Sequence, residues 1–380
     1  MPETLSPAQL SRDLSVRDLT DPAEGRHTLQ LVLDRVVAAL AGGWGISARW
    51  HRGERIVPVA DNYDLLGYDP ADVTREARYT RYVDDQRMLR SHSSALIPPA
   101  LRSLAAAAPQ PGDALLVCPG VVYRRDAIDR LHSGTPHQLD LWRVARRDRP
   151  ADDADLEEMV RMIVAALLPG AEVRLEPRVH PYTLHGRQVD VLHDGEWIEI
   201  AECGLAHPEV LRRAGLGAGW TGLALGMGLD RMLMLAKGIP DIRLLRSAEP
   251  RVAAQMLGLE PYRPVSAMPP AVRDLSVAVP AGDLAEDLGD RVRDALGARA
   301  DCVESVEILS RTRAAELPQR ARERIGARAD QDNLLVRIVL RDLERTLTAA
   351  DANRLRDRVY LAIHRGAVHQ LTDPGGAPER

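Results

Sequence analysis

Apolar positions recur at helical spacing through Leu29, Leu31, Val32, Leu33, Val36, Val37 and Leu40, and Gly42-Gly43 then interrupt them. This predicts an amphipathic helix with a glycine stop. Residues 1–25 before it carry no clear period, and residues 56–94 mix charge with Tyr63, Tyr68, Tyr79 and Tyr82 without assigning an element. A helix is expected over 100–108, ended by Pro109 and Pro111, then strands over 114–124 and 138–144 joined by a polar turn, 125–136. Residues 153–168 again have helical spacing and stop at Pro169-Gly170. Segments 173–178, 188–192 and 197–202 alternate like antiparallel strands, with Asp194-Gly195 as a tight hairpin turn. A strand over 222–226 runs into a helix over 229–237. Antiparallel strands with segregated helices indicate an α+β fold.

Pro261, Pro264, Pro269 and Pro270 mark a hinge after which the pattern restarts. The expected division is a leader 1–25, a first domain 26–260, a linker 261–268, a second domain 269–372 and a tail 373–380. In the second domain, strands over 273–279, 302–309 and 333–340 and helices over 283–296 and 349–365 flank an arginine-rich loop. This βαββα order suits a small ferredoxin-like domain.

Composition narrows the function classes. Fifty Lys+Arg against fifty-five Asp+Glu give a formal charge of −5 over 380 residues, so any nucleic-acid contact must be a local patch. Cys118, Cys203 and Cys302 are too far apart for a zinc knuckle or a disulfide framework, which fits a reducing, cytoplasmic setting. No run of eighteen apolar residues exists, and the N-terminus lacks an apolar signal region, so no membrane association is expected. Lys237 is the only lysine, and phenylalanine is absent.

Two segments carry chemistry. The first is the hairpin with Arg124, Asp126, His132, Gln138 and Asp140. A guanidinium pairs with phosphate, while a carboxylate and an amide oxygen accept from an ammonium group. The same residues also suit an exposed, salt-bridged hairpin. The second is Gly222-Leu223-Ala224-Leu225-Gly226-Met227-Gly228-Leu229-Asp230-Arg231, where glycines permit close approach and Arg231 opens a helix. Its spacing does not meet G-x-G-x-x-G, and no βαβ unit surrounds it.

These two segments resemble motifs 2 and 3 of class II aminoacyl-tRNA synthetases, and specifically those of phenylalanyl-tRNA synthetase. Supporting segments in the family's order are Leu89-Arg90-Ser91-His92-Ser93-Ser94, Gly195-Glu196-Trp197-Ile198-Glu199-Ile200 with Cys203-Gly204, Gly238-Ile239-Pro240-Asp241-Ile242-Arg243, Val272-Arg273-Asp274-Leu275-Ser276 and Glu344-Arg345-Thr346-Leu347-Thr348. The layout is similar to the single-chain mitochondrial type, a class II antiparallel sheet flanked by helices and followed by a ferredoxin-fold anticodon-binding domain.

The resemblance implies ATP-dependent activation of an amino acid, phenylalanine or an analogue, to an adenylate and its transfer to tRNA, with Mg2+ as counter-ion and tRNA-Phe as the expected partner. It implies that Arg124 holds the α-phosphate, that Arg231 holds the adenine and γ-phosphate side, and that Asp126, His132 and Pro136 line the nucleotide. His92, Ser94, Gln138 and Asp140 would fix the amino and carboxylate groups, and His180, Tyr182, Leu223, Ala224 and Leu225 the side chain. Arg311, Arg313, Arg341 and Arg345 would contact tRNA. No second subunit or editing domain is expected, and protein metal ligands are left unassigned. Departures bear on the substrate: His180-Pro181-Tyr182 stands where the family has Phe-Pro-Phe, Leu223-Ala224-Leu225-Gly226 for Phe-Ala-Phe-Gly, Pro136 for an adenine-stacking phenylalanine, and Asp140-Leu141 for Glu-Gly. A synthetase-like protein activating another amino acid, inside or outside translation, and a weakened paralogue that only binds tRNA therefore remain open.

Overall fold

The computed structural model describes residues 4–77, 79–107, 110, 112–125, 127–265 and 268–369. They form two compact units. The first takes the residues up to Arg124 with Thr135–Leu245 and Pro250–Arg263; the second takes Arg125–Gly134, Arg246–Glu249 and the residues from Pro264 onward. The tail 373–380 lies outside the described residues.

The first unit is built on strands β1 (Ala48–Trp50), β4 (Asp113–Val121), β5 (His137–Arg146), β6 (Val173–Pro177), β7 (Thr183–His193), β8 (Glu196–Ala206) and β9 (Trp220–Gly228). They form one sheet in the order β1-β4-β5-β9-β8-β7-β6. Only β1 pairs parallel to its neighbour; the rest are antiparallel. A two-stranded ribbon, β2 (Ile56–Pro58) with β3 (Arg87–Leu89), lies in the region where the sequence assigned no element. The hairpin between β7 and β8 turns at Asp194 (φ 51°) and Gly195 (φ 84°), two positive-φ residues as a two-residue turn of this hand requires.

Register divides the sheet into two faces. Trp142 pairs with Ala224, Asp140 with Gly226 and Cys118 with Asp140, so the even-numbered positions of β4, β5 and β9 share one face. At one end of that face Ala114, Leu116, Trp142, Val144 and Ala224 pack beneath the helices Ile97–Ala105 and Pro208–Arg213. The odd positions face the other way. There the helix Leu229–Lys237 packs on β5 and β9, Asp153–Leu167 packs on β8, and Thr28–Trp44 packs on both of these helices.

The leader is not featureless. Ser6 and Gln9 form a reciprocal capping box that starts the helix Pro7–Leu14. Its Asp13 makes a buried ion pair with Arg81 at 2.9 Å. Asp18 then accepts from the backbone N–H of Val121 (3.0 Å) and from Thr20. Gly120 adopts φ 152°, and a Cβ there would run into the buried Arg90 guanidinium, so only glycine lets that arginine lie along the strand end. Elsewhere in the unit, the buried ammonium of Lys237 donates to the carbonyls of Gly258 (2.7 Å) and Glu260 (2.5 Å).

In the second unit β10 (Ala271–Pro280), β11 (Val303–Arg313) and β12 (Gln331–Leu340) form a sheet in the order β10-β12-β11, with β12 antiparallel to both. Leu288, Val292 and Leu296 of Ala285–Leu296 and Leu355, Val359 and Ile363 of Ala349–Ile363 complete its core with Val277, Val336 and Ile338. Ile128 packs in that core, and its carbonyl accepts from Val306 N–H at 2.9 Å. The segment read as an arginine-rich loop is more ordered than the sequence suggested. β11 continues to Arg313, paired with β12, and a short helix Gln319–Ile325 ends at Gly326 (φ 60°).

Candidate active site

Beyond the packed end of the even face, the sheet carries polar groups. Asp140, Gly226, Glu202 and Gln188 lie opposite one another across β5, β9, β8 and β7, so their side-chain positions form one lateral row. Glycine at 226 leaves the floor between the two carboxylates open. Ser93 donates its hydroxyl to Asp140 Oδ2 at 2.5 Å, and Ser93 N–H donates to the Gln138 amide oxygen at 3.2 Å. Asp140 Oδ1 and His92 Nδ1 are buried and make no hydrogen bond to a described residue. Burial pushes the Asp140 carboxyl up to about 6, against the pull of Ser93, Ser94 and Trp142. Burial, and then the Arg124 charge, push His92 down to about 3, so its imidazole is neutral.

A wall of rings stands over this row. Half-buried Tyr68 stacks on His92 (centroids 5.7 Å apart) and lies 6.3 Å from Tyr182, which in turn faces Trp142 at 6.3 Å and His180 at 5.6 Å. His180 Nδ1 meets Thr183 Oγ1 at 3.2 Å, and its Nε2 lies 3.1 Å from Glu202 Oε2. Arg178 Nε donates to Glu202 Oε1 at 3.1 Å. Gly204 seats this segment, since a Cβ there would sit 2.6 Å from Thr183 Cβ.

At the adjoining end of the sheet, Val121 lies opposite His137, and Gln138 opposite Gly228. Arg124 and Arg231, each three residues past such a strand end, therefore follow strands that finish at the same end of the sheet. Arg231 Nη1 donates to the Glu199 carbonyl at 2.9 Å. Buried Asp230 accepts from His137 twice, from the backbone N–H (2.6 Å) and from Nδ1 (2.8 Å), while His137 Nε2 accepts from Leu19 N–H (3.1 Å). These contacts fix the tautomer and tie the leader, the start of β5 and the helix bearing Arg231 into one buried network.

The structure thus brings together His92, Ser94, Gln138, Asp140, His180, Tyr182 and Ala224 on one face, with Arg124 and Arg231 at its end. Leu223 and Leu225 do not join them. They pair with Arg143 and Leu141 at odd positions and are buried on the opposite face, because a strand alternates sides at every residue. Pro136 extends the β4–β5 pairing by accepting from Val122 N–H at 2.8 Å. Asp126 lies outside the described residues. His132 belongs to the second unit, where it pairs with Asp129 at 2.7 Å. Three of the four arginines assigned to tRNA are engaged by acids of their own unit: Arg311 by Asp332 (2.6 Å), Arg341 by Glu304 (2.5 Å) and Arg345 by Asp351 (3.2 Å). Arg313 is exposed. Sequence reasoning missed Ser93, Glu202 and the His137–Asp230 pair. For Glu202 the signal was available, an acid at the parity of Gly204 and Ala206 in the otherwise apolar second half of its strand.

The family model for the tRNA synthetases class II core domain (F) matches residues 12–256. The chain belongs to this family. The phenylalanine--tRNA ligase alpha subunit of Prochlorococcus marinus (strain MIT 9313) is 31% identical over 244 residues, covering 63% of this chain and 69% of the relative. The Haemophilus ducreyi alpha subunit is 30% identical over 240 residues, covering 62% and 69%. The Arabidopsis thaliana phenylalanine--tRNA ligase, chloroplastic/mitochondrial, is 28% identical over 319 residues, covering 80% of this chain and 68% of that one. That span is longer than the first unit of this synthetase, so the likeness to the plant enzyme extends into the second. Among the described residues, no helix is long and apolar enough to cross a membrane.

Proposed function

We propose that this synthetase activates phenylalanine, or an aromatic analogue of it, as the adenylate and transfers it to tRNA-Phe in the cytoplasm. The observation that carries the reading is the buried, hydrogen-bond-free Asp140 Oδ1 beneath a wall of rings, at the end of the sheet from which Arg124 and Arg231 emerge. An ammonium group is the ligand that such an oxygen lacks. In the first step a substrate carboxylate oxygen attacks the α-phosphorus of ATP, and the bond to pyrophosphate breaks. Positioning by Asp140, Gln138 and Ser94, and charge offset by the two arginines, supply the rate. A terminal hydroxyl of tRNA then attacks the carbonyl and AMP leaves.

Magnesium would enter with the nucleotide and spread the charge of its phosphates. Among the described residues no group of three or more His, Cys, Asp or Glu side chains is placed to hold a metal ion. The second unit, with its split sheet and two helices on one face, is assigned the anticodon end of the tRNA as a ferredoxin-like domain, without a second subunit. Arg313 and the exposed Arg320 and Arg324 of the neighbouring short helix offer the phosphate contacts there.

Phenylalanine-dependent exchange of pyrophosphate into ATP, followed by charging of tRNA-Phe, tests the reading. Exchange with none of the twenty amino acids would favour a tRNA-binding module instead. The pH profile gives a separate check. Ammonium binding needs the ionised Asp140 carboxylate, whose proton leaves at about 6. The KM for the amino acid should therefore be flat above that value and rise about tenfold per pH unit below it, while the KM for ATP changes much less. Parallel changes in both constants would remove Asp140 from the ammonium site.

A further inference from the structure

The stem that carries Arg124 is completed by the leader rather than by a strand. On the outer edge of β4, Leu115 N–H donates to the Ser47 carbonyl and the Val117 carbonyl accepts from His51 N–H, so the odd positions of β4 turn their backbone groups toward β1. β1 ends at Trp50, opposite Val117, while β4 runs on to Val121. The same parity turns the backbone groups of Val121 toward that edge, beyond the last residue of β1, and buried peptide groups need partners. Two side chains supply them. The Asp18 carboxylate accepts from Val121 N–H at 3.0 Å, and Arg90 Nε donates to the Val121 carbonyl at 2.7 Å. Tyr123 N–H then donates to the Arg90 carbonyl (2.9 Å), while Val122 N–H bonds the other way, to Pro136. Asp18 and Arg90 are both buried, with Arg90 Nη2 3.8 Å from Asp18 Oδ2. Leu10, Leu14 and Val16 of the leader pack against the cluster of Leu89, Val121 and Tyr123. The second Asp18 oxygen accepts from Thr20, through its N–H (2.9 Å) and its hydroxyl (2.6 Å), so the carboxylate cannot swing away without breaking its own turn. The three residues before Arg124 are thus pinned through their backbone. An arginine that closes on a phosphate gives up conformational freedom, and a stem already fixed removes the backbone share of that cost.

We infer that Asp18 is a positioning residue for the nucleotide site: with Arg90 it fixes the strand end from which Arg124 departs, so that the leader serves the reaction as well as the fold. This inference rests on the adenylation reading given above. It adds a leader residue that works through Arg124.

The test is a double-mutant cycle on pyrophosphate exchange by the full-length enzyme, with Asp18→Ala and Asp18→Asn made in the parent and in Arg124→Ala. Each protein is assayed at a temperature where circular dichroism shows it folded. With phenylalanine as substrate, Asp18→Ala should lower kcat/KM for ATP by about tenfold to a hundredfold, the range that a displaced catalytic group costs. Asp18→Asn, which keeps one acceptor oxygen, should lose about threefold to tenfold and serves where the alanine variant does not fold. In the Arg124→Ala background either substitution should change exchange by less than about twofold, because the residue through which Asp18 acts is gone. A carboxylate that only supports the fold would subtract the same factor in both backgrounds. Equal losses in the two backgrounds, or Asp18 variants within about twofold of the parent, overturn the inference and leave adenylation standing. A parent enzyme that shows no exchange with phenylalanine or any other standard amino acid overturns the adenylation reading and this inference with it.

Discussion

Arg124→Ala and Arg231→Ala should each lower pyrophosphate exchange by about a hundredfold to a thousandfold, the cost of removing one preorganised donor from developing charge. Arg124 is exposed and Arg231 is half-buried, so neither side chain lies in the apolar core. The loss should appear in kcat/KM with the melting temperature nearly unchanged. Lysine at either place should restore only part of the rate, because it keeps the charge and loses the planar fork. Exchange within a factor of five of the parent in both alanine variants would show that the triphosphate does not lie where these arginines leave the sheet.

Asp230→Ala acts on the fold instead. The carboxylate accepts from two His137 donors, and the imidazole's other nitrogen accepts from Leu19. Removing it leaves two buried donors without their acceptor, a loss of about 2–5 kcal/mol. For a unit of this size that is a fall in Tm of roughly 10 °C. Asp230→Asn, which keeps one acceptor oxygen, should lose about half as much. A fall of less than about 2 °C in the alanine variant would mean that the network does not bind the leader, β5 and the Arg231 helix together.

Which parts of this molecule were legible beforehand follows from the range of the forces involved. The Asp194-Gly195 turn and the strand-to-helix passage at Gly228 are written locally, in periodicity and turn chemistry, and stand where the pattern puts them, while the helix Thr28–Trp44 runs through the expected stop at Gly42-Gly43 and ends at Gly45, which takes φ 66°. The leader escaped because its helix has one cap and a short apolar face, and its holding contacts, Asp13 to Arg81 and Asp18 to Val121, span distances in sequence that no window covers. Arg311 and Arg341 read as a basic stripe because their acids, Asp332 and Glu304, lie on neighbouring strands whose register the sequence does not display. The misplacement of Leu223 and Leu225 had a different cause. Strand parity was legible, and treating Leu-Ala-Leu-Gly as one block overrode it. Gln138 and Asp140, expected to hold the amino acid, stand on one face of β5 as strand parity requires.

The burial of Lys237 reaches beyond its two carbonyl contacts. Since no other lysine exists in the sequence, the folded surface presents no lysine amine to acyl donors, bifunctional succinimidyl esters or conjugating enzymes. Amine-directed immobilisation or crosslinking should therefore pass over the folded side chains. Any label recovered on Lys237 counts the molecules in which the end of its helix has come away from residues 258–260, which makes the residue a built-in gauge of local opening.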